Sequence, residues 1–444
     1  MNREYYDVVV CGAGMAGVSA AVAAAKEGKK VLLVERTGAL GGLATNGMVT
    51  VMMSSLSWFY GFGKELIEGL IKDGGAWHVP DPAVKGFDYY PFRPEDMKAR
   101  LEDLVVENGV QLYLYTMVTG ATTEGDRIRS VTLSFGGSSV EVEAKTFIDT
   151  TGGADLCQLA GEEILCGDEN GDVQAPTMVS CYAGVDFDRY EAFLKTYEDG
   201  IKPAKINMIH DLVPKAVEEG ILWGVDLHHP GIFRHLPEQD GGMMNAGHVY
   251  GADVFTPRGM TQAALEGRRQ AHALLKFYRK YIPGFENAWI PTTGSELSLR
   301  ESGRVVGEYM IGFEDKTEYR KFPDSIMRFD GGAVSDVHSS SASPEAYKAY
   351  VKLYAQRESV RRDDWAQLPY RCLLPKKNSN LLVAGRCISA DRKTLGQIRL
   401  QSYCLMMGQA AGIAAAMAAE CDGNAKNVDV AALQQKLRSQ GVEV

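Results

Sequence analysis

Apolar and small residues alternate near the N-terminus in a way that predicts a strand–helix–strand unit. Residues 6–11, YDVVVC, are a short β-branched run typical of a fully buried parallel strand. A helical segment of small residues, VSAAVAAAKEG, follows, and KKVLLVE then repeats the strand pattern. This order indicates a βαβ unit and a parallel sheet.

Further elements follow from the same patterns. Residues 94–108 place Met97, Leu101, Leu104 and Val105 on one face, which predicts a helix. QLYLYTMVTGATTE is predicted as one strand, and DRIRSVTLSF and SSVEVEAKTFIDTTGG as a β-meander that returns to the core sheet. Near the C-terminus we expect a buried strand in NLLVAG, then a Gly-Arg turn, a polar loop and an Ala-rich helix.

Three glycines in GAGMAG connect the first strand to the first helix, and Glu35 closes the second strand. We expect Gly12 to permit the sharp turn, Gly14 to let the backbone approach a pyrophosphate, and Gly17 to let the helix pack on the strands. The helix N-terminus offers N–H groups to phosphates, and a carboxylate at Glu35 can bind a ribose diol. The sequence therefore predicts dinucleotide binding.

Composition narrows the class of protein. Of 444 residues, 57 are acidic and 47 basic, and no block of Lys or Arg is present. Because nucleic-acid binders usually carry a basic stripe, the formal charge of −10 disfavours that class. Glycine is in excess, with 48 residues, and this indicates many tight turns or close backbone approaches.

The eight cysteines are scattered, without a CxxC pair or histidines at the spacing of zinc ligands. We therefore expect no metal site, reduced thiols and a cytoplasmic location. Two apolar runs, residues 8–25 and 405–419, are short and rich in glycine and alanine. We expect neither to be a signal peptide or a membrane span.

A second glycine cluster indicates which dinucleotide is bound. Gly38, Gly41 and Gly42, in RTGALGGLATNG, follow Glu35 where a nicotinamide domain would proceed to its next helix. A loop without side chains suits another close approach to an extended cofactor. The arrangement resembles the glutathione-reductase-like flavoproteins, in which such a segment lies along FAD.

The chain as a whole resembles a family of bacterial FAD-dependent oxidoreductases near the fumarate reductase and thiazole synthase flavoproteins. The resemblance is carried, in order, by GAGMAG with Glu35, GGLATNG, IDTTGGADLCQLAG, LRESGRVVGEY, PYRCLLP and NLLVAGRCISADRKTLGQIRLQSYCLMMGQAAGIAAA. It implies an α/β fold with a Rossmann-like FAD-binding domain formed by both chain ends, residues 1–175 and 370–444. An α+β substrate domain, residues 176–369, would be inserted between them.

The resemblance also implies a set of FAD-binding residues. The phosphates would be contacted by Gly12, Ala13, Gly14, Met15 and Gly17, and the adenosine ribose by Glu35. Adenine would meet the backbone of Val118, and the segment running toward the flavin would contain Arg36, Gly41, Gly42 and Thr45. Gly152, Gly385 and Arg386 would flank the pyrophosphate and ribityl chain, and the final helix would open beside the flavin ring with Arg399, Leu400 and Gln401.

Two departures from related flavoproteins affect these expectations. Enzymes that attach FAD covalently through histidine usually carry that residue in the loop after the second strand, and residues 36–50 contain none. We therefore expect non-covalent FAD. The family often has a histidine soon after the ISA triplet, but this chain has Asp391, Arg392 and Lys393 there. No catalytic role is carried over to that position.

Proton handling is expected from a histidine, a glutamate, a tyrosine or an arginine held near a base, and the inserted domain contains a group of histidines. His228, His229, His235 and His248 lie within 21 residues, at spacings that fit no common metal site. Solvated loop histidines are the alternative at each position. We expect at least one to face the substrate, and His248 is the best candidate because it lies among small residues that leave access.

Four arginines and one glutamate complete the set of candidates. Arg300 and Glu301 are either catalytic or an ion pair that braces the domain junction, and Arg304 lies one helical turn beyond Arg300 and can share its carboxylate. Arg386 and Arg399 suit an anionic, carboxylate-bearing substrate. Alternatively, these two arginines only neutralise phosphate.

We expect an FAD-dependent dehydrogenase or enoate-type reductase that transfers a hydride between the flavin and a small organic substrate. The alternatives are a non-catalytic electron-transfer or flavin-binding protein and a thiazole-synthase-like biosynthetic enzyme. Since only one GxGxxG is present, the electron partner is left open between oxygen, a quinone, a carrier protein and a visiting dinucleotide. Homo-oligomerisation is also left open, and neither nucleic acid nor membrane is expected as a partner.

Overall fold

The computed structural model describes residues 3–54, 60–80, 88–195, 212–223, 231–333, 335–341, 343, 345, 352 and 364–444. The strands, in chain order, are β1 (Arg3–Cys11), β2 (Val31–Val34), β3 (Val51–Ser54), β4 (Val79–Pro80), β5 (Asp88–Pro91), β6 (Gln111–Tyr113), β7 (Met117–Glu124), β8 (Arg127–Phe135), β9 (Ser138–Asp149), β10 (Ile164–Cys166), β11 (Ser180–Ala183), β12 (Ile232–Arg234), β13 (Gly242–Met244), β14 (Trp289–Thr293), β15 (Gly303–Val305), β16 (Ser325–Phe329), β17 (Ala366–Pro369) and β18 (Leu381–Val383).

The helices are α1 (Met15–Lys26), α2 (Gly61–Lys72), α3 (Pro94–Glu107), α4 (Asp155–Leu159), α5 (Phe187–Lys195), α6 (Pro257–Tyr281), α7 (Phe313–Thr317), α8 (Arg392–Ile398), α9 (Gln401–Glu420) and α10 (Val430–Ser439). Residues 212–218 are also helical. Short 3-10 turns occur at Gly42–Ala44, Tyr370–Leu373, Gly385–Cys387 and Ala425–Asn427.

A seven-stranded sheet joins the two ends of the chain. Its strands run in the order β6-β2-β1-β9-β8-β7, and β18 pairs with β9 beside them. The pairings of β1 with β2 and β9 are parallel, and so is that of β18 with β9. β7, β8 and β9 form the antiparallel meander that the sequence predicts. The α/β fold is therefore confirmed, with strands from both chain ends in one sheet.

Alternate side chains of β1 point to opposite faces of this sheet, as expected for a strand. Val8 and Val10 belong to a core that includes α1 and α9. Val9 and Cys11 belong to a second core formed with α4 and the meander. Because both faces are covered, the β-branched run of β1 is buried throughout, as the sequence predicts.

Helices α1 and α9 pack closely because small residues face each other. A Cβ built on Gly408 would lie 2.1 Å from the carbonyl oxygen of Ala16, and one on Gly412 would lie 2.2 Å from that of Ala20. Nearly all residues of both helices are buried. The predicted Ala-rich helix is confirmed, and it packs on α1, the helix of the N-terminal βαβ unit.

Smaller sheets surround this centre. The sheet β12-β13-β11-β14 packs with α6 around an aromatic core that includes Tyr182, Tyr278 and Phe285. β10 pairs with β15, which joins a segment before residue 175 to one after it. β3-β5-β4 and β16-β17 complete the sheets of the described residues. The division into two domains stays a prediction.

Three local predictions are wrong. The segment 111–124 forms two strands, because the chain turns at Tyr115, where φ is +53°, so that β6 pairs with β2 and β7 begins the meander. Part of the polar loop before α9 is helix α8, because the Asp391 side chain caps it by accepting a 2.7 Å hydrogen bond from the Thr394 N–H. Helix α9 is not the final helix, since α10 follows it.

Within the described part of the chain, α9 alone has the length and apolar composition of a membrane span. Its most apolar stretch is 94% buried inside the protein. This burial agrees with a core helix that packs on α1 and the sheet.

Candidate functional site

Two glycines in the turn between β1 and α1, and a third in the first turn of α1, have different surroundings. Gly12 has a φ of +97°, and a Cβ there would lie 2.6 Å from the carbonyl oxygen of Thr150. A Cβ on Gly17 would lie 1.8 Å from the carbonyl oxygen of Gly12. A Cβ on Gly14, the N-cap of α1, would meet no atom within 4 Å. Open space therefore lies beside Gly14, at the free N–H groups of the first turn of α1.

Glu35 follows β2 and is 6% exposed. Its carboxylate accepts hydrogen bonds from the backbone N–H groups of Ala13 and Thr37, both at 2.8 Å, and from the Thr37 hydroxyl. Ala13, one of the predicted cofactor residues, thus donates its N–H to Glu35 instead. Arg36 pairs with Glu296 at 2.6 Å.

The second glycine cluster lies against the first. Gly41 and Gly42 have φ values of +100° and +55°, and a Cβ on Gly42 would lie 3.0 Å from the Cα of Gly14. Thr45, predicted to run toward the flavin, is fully buried, and its hydroxyl donates to the carbonyl of Leu40. Thr45 therefore holds this loop in shape and does not face the open space.

Arg386 forms the opposite side of the same space. Its guanidinium donates to the carbonyl oxygens of Gly152 at 3.1 Å and Leu299 at 2.8 Å. Gly152 and Gly385 have φ values of +75° and +85°. The two carbonyl contacts link the turn after β9 to the strand-like segment that leads to Arg300.

These loops enclose a cavity of about 880 Å³, within the usual range of ligand pockets. The predicted residues that line it are Gly12, Gly14, Met15, Glu35, Arg36, Gly41, Gly42, Gly152, Arg300, Gly385, Arg386, Arg399, Leu400 and Gln401. The predicted residues that do not line it are Ala13, Gly17, Thr45, Val118, His248 and Glu301. Val118 lies on β7 and packs against the second core.

Two polar atoms in the cavity wall point to a ligand. Among the described residues, Nε of Arg399 and Oε1 of Gln401 are buried without a hydrogen-bond partner. Both residues line the cavity at the N-terminus of α9, which Leu400 caps. The Gln401 side chain is held by a 2.7 Å hydrogen bond to the carbonyl of Val49. A buried donor and a buried acceptor at one place fit the polar edge of a bound cofactor.

A second polar group lies at the end of the cavity formed by residues after 175. Arg300 donates to the carbonyl of Ala175 at 2.8 Å, to the hydroxyl of Thr177 at 2.6 Å and to the side-chain oxygen of Asn245 at 3.1 Å. Arg300 and Asn245 both line the cavity. The apolar residues Met178, Val254 and Phe255 also line the cavity, together with Met260 and Ala264 of α6.

A line of hydrogen bonds leads from the cavity wall into the protein. Arg399 pairs with Asp336 at 3.0 Å, Nε2 of His338 lies 3.0 Å from the other Asp336 oxygen, and Nδ1 of His338 lies 3.0 Å from Nε2 of His248. Asp336 lines the cavity. His248, predicted to have access to the substrate, is instead 1% exposed and lies behind His338. Burial, together with the positive charge of Arg300, lowers the pKa of His338 well below its usual range.

The predicted Arg300–Glu301 ion pair does not form. Glu301 is almost fully buried; it accepts a 2.9 Å hydrogen bond from Arg392, and Arg304 lies 3.6 Å away. Arg304 belongs to strand β15, so the helical spacing to Arg300 does not apply. The Arg300 side chain lines the cavity, whereas the Glu301 side chain forms a buried ion pair with Arg392.

Of the other histidines in the predicted cluster, His235 is buried, with Nε2 3.0 Å from the Thr50 hydroxyl, and burial lowers its pKa to about 4. His228 and His229 lie outside the described residues. No group of three or more metal-ligating side chains occurs among the residues that the structure describes.

Three further titratable groups line the cavity. Burial raises the pKa of Cys404 to about 12 and raises that of Cys166 as well. Both thiols are therefore protonated at neutral pH and are poor nucleophiles. Burial and the neighbouring Asp149 carboxylate raise the pKa of Asp155, while Arg36 and Arg386 oppose that change.

Sequence reasoning missed Asp336, His338 and Asn245. Asp336 and His338 stand two residues apart in VSDVHSS, and this Asp-x-His spacing was the available signal. No sequence signal indicated Asn245, because its partner Arg300 is 55 residues away in the chain. The pairing of Arg392 with Glu301, across 91 residues, had no sequence signal either.

The parallel strands β6, β2, β1, β9 and β18, the glycine turn at the N-terminus of α1 and the acid at the end of β2 define a dinucleotide-binding fold of the Rossmann type. The chain belongs to the FAD dependent oxidoreductase family, whose profile matches residues 7–437. FAD is therefore its cofactor. The open space beside Gly14 and the unpartnered atoms of Arg399 and Gln401 fit that cofactor.

Matches among solved structures include three proteins. A geranylgeranyl bacteriochlorophyll reductase-like protein from Thermoplasma acidophilum is 12% identical, with 99% of this chain and 85% of that one covered and a TM-score of 0.48. p-Nitrophenol 4-monooxygenase from Pseudomonas putida is 10% identical, with 98% of this chain and 82% of that one covered and a TM-score of 0.46. L-proline dehydrogenase from P. horikoshii is 13% identical, with 93% of each chain covered and a TM-score of 0.39. No curated protein matches the sequence.

Proposed function

We propose that this oxidoreductase transfers a hydride between FAD and a small organic substrate that carries a carboxylate. The observation that carries the proposal is the position of Arg300 and Asn245, which line the same cavity as the glycine loops of the cofactor site. FAD, when bound, supplies the group that accepts or donates the hydride. The residues of the chain bind and orient the substrate beside it.

Arg300 is suited to hold a carboxylate in one orientation. A guanidinium presents a planar set of donors that matches the two oxygens of a carboxylate. The carbonyl of Ala175 and the hydroxyl of Thr177 hold this group from one side, and the side chain of Asn245 holds it from another. A fixed guanidinium loses little conformational entropy on binding, which favours tight and directional recognition.

The apolar surface next to Arg300 supports a substrate with a hydrocarbon body. Met178, Met260 and Ala264 line this part of the cavity, and such surface excludes water from a bound ligand. A protein that only carried electrons would not need this extension of the cavity beyond the glycine loops. The extension therefore favours an enzyme over a non-catalytic flavoprotein.

Replacing Arg300 with glutamine is expected to weaken carboxylate binding selectively. Benzoate and its neutral analogue benzamide, titrated into the FAD-loaded protein, would be followed through the visible spectrum of the bound flavin. Loss of a hydrogen bond from a charged donor costs about 1.5–3 kcal/mol, so benzoate affinity should fall roughly tenfold to a hundredfold. Benzamide affinity should change little. Equal losses for both ligands would contradict carboxylate recognition by Arg300.

The hydride reaction itself is tested by anaerobic mixing. Oxidised protein would be mixed with a panel of hydroxy acids, amines and sugars, and the dithionite-reduced protein with 2-enoates, while flavin absorbance is recorded. We expect bleaching or recovery only with carboxylate-bearing compounds. A response to neutral compounds and none to carboxylates would refute the proposed substrate class.

We also propose that FAD is held non-covalently. No histidine occurs in residues 36–50, and among the described residues none that lines the cavity is a histidine or tyrosine. The cavity cysteine Cys404 is protonated at neutral pH because burial raises its pKa to about 12. Acid precipitation should therefore release the yellow colour into the supernatant. Colour that stays in the pellet would show a covalent bond.

A further inference from the structure

The line of hydrogen bonds behind the cavity has a defined direction. A carboxylate only accepts hydrogen bonds, so the Nε2 of His338 that faces Asp336 must carry the hydrogen. In the neutral ring, Nδ1 of His338 then accepts, and Nε2 of His248 donates to it across 3.0 Å. The two rings also stack, with centroids 4.8 Å apart. Both histidines therefore point their hydrogens toward Asp336 and the cavity.

Asp336 is the member of this line that a solvent proton can reach, since its side chain is 29% exposed and lines the cavity, whereas His248 is 1% exposed. A proton from water in the cavity forms one O–H bond at the Asp336 carboxylate, which becomes a neutral carboxylic acid. The two histidines keep their neutral tautomers, so no buried cation forms.

We propose that Asp336 takes up one proton when a carboxylate substrate enters beside Arg300 and Arg399, and that it presents this proton to the substrate. The inference rests on the proposed function, because it requires an anion in the cavity. Asp336 is then a catalytic acid at the cavity wall, and His338 and His248 are positioning residues that act through it.

Competition for Arg399 is the reason why anion binding and proton uptake are coupled. In the structure, Asp336 holds the Arg399 guanidinium through its carboxylate at 3.0 Å and its backbone carbonyl at 2.8 Å. A substrate carboxylate that pairs with Arg399 takes over the cation, and the negative charge of Asp336 loses its partner. Protonation of Asp336 removes this uncompensated charge.

The other charged groups around the line act in the same sense. Arg300 faces His338 and lowers its pKa, so a second positive charge on either histidine is disfavoured. An anion bound to Arg300 cancels part of this effect. Tyr250 stacks on His248 at 6.1 Å from ring to ring and adds no charge at neutral pH. Within the described residues, the groups that face the line therefore favour proton uptake only once an anion is bound.

Calorimetry of benzoate binding to the FAD-loaded protein tests the coupling. Titrations in two buffers of different ionisation enthalpy at one pH count the protons taken up, and a pH series gives the change in apparent Kd. Between about pH 6 and pH 9 benzoate stays ionised. We expect uptake of close to one proton. The apparent Kd for benzoate should rise about tenfold per pH unit across the pH range in which Asp336 is protonated with benzoate bound and ionised without it.

Three variants assign the proton. Asp336→Asn keeps the shape of the side chain but cannot ionise, so it should bind benzoate without proton uptake. His338→Gln removes the neighbouring imidazole but leaves Asp336 in place, so uptake should persist in it; loss of uptake in His338→Gln would place the proton on the histidine and overturn the inference. His235→Gln is the matched control, since His235 is also a buried histidine with a 3.0 Å hydrogen bond, to Thr50. Its pKa of about 4 keeps it neutral in the experiment, so proton uptake should stay at the wild-type value.

The outcomes separate this inference from the proposed function. Benzoate that binds the wild-type protein without proton uptake overturns the inference and leaves carboxylate recognition standing. Uptake that persists in Asp336→Asn also overturns it. No benzoate binding at any pH overturns the proposed carboxylate recognition, and the inference falls with it.

Discussion

Gly14→Glu is expected to abolish FAD retention while the protein stays folded. A Cβ at this position meets no atom within 4 Å, and the φ of −66° suits any residue, so the backbone tolerates a side chain. The side chain would enter the cavity at the N-terminus of α1, where a phosphate accepts N–H hydrogen bonds. A carboxylate there takes the place of the phosphate and repels it. Affinity should fall on the order of a hundredfold or more, since each lost charged hydrogen bond contributes about 1.5–3 kcal/mol.

The measurement is the ratio of flavin to protein absorbance after purification and dialysis, together with circular dichroism to report folding. Gly137→Glu is the matched control, because a Cβ there also meets no atom within 4 Å and the residue lies in the exposed turn between β8 and β9. The control should retain FAD. If Gly14→Glu retained FAD at the wild-type ratio, the cofactor phosphates would not lie beside this turn.

Gly408→Ala is expected to lower the thermal stability of the protein by several degrees. The added methyl group would lie 2.1 Å from the carbonyl oxygen of Ala16, and backbone atoms cannot rotate away as a side chain can. Helices α1 and α9 must separate, which costs about 1–3 kcal/mol or more. The unfolding midpoint followed by circular dichroism measures this loss.

Gly69→Ala serves as the control for helix propensity. Gly69 is also a helical glycine, on α2, but a Cβ there approaches only the flexible end of Arg100, at 3.2 Å. Alanine is favoured over glycine in a helix interior by about 0.5–1 kcal/mol, so this variant should be as stable as the wild type or more so. Stabilisation by both Gly408→Ala and Gly69→Ala would show that α1 and α9 leave room for a methyl group at Gly408.

Local patterns predicted the central elements well. Burial and close packing require particular residue types, and these can be recognised in the sequence. They are the β-branched run of β1, the glycines that follow it and the small residues of α1 and α9. The break at Tyr115 was not predictable in this way. Its strand residues look alike on both sides, and only the pairing of β6 with β2 decides where the chain turns.

The candidate site was predicted less completely, because its chemistry depends on contacts between distant segments. Arg300 and Arg399 were chosen for their charge and do line the cavity. Glu301 was expected either to be catalytic or to pair with its neighbour, yet it lies outside the cavity lining and pairs with Arg392. His248 was expected at the surface of the cavity, yet His338 covers it. Residues 90 or 91 positions apart give no sign of their contact in a single sequence, so these pairings become evident only in the folded chain.

The contact between α1 and α9 also sets the order in which the protein can be completed on the ribosome. Gly408 and Gly412 of α9 follow their contacts Ala16 and Ala20 of α1 by 392 residues each, so α1 is synthesised long before its partner helix. Contacts of such long sequence separation form late, after the loop-closure entropy of the intervening chain has been overcome. A nascent chain that has not yet reached residue 399 therefore leaves the face of α1 that α9 covers without its partner, and it still lacks Arg399, Leu400 and Gln401, which line the cavity.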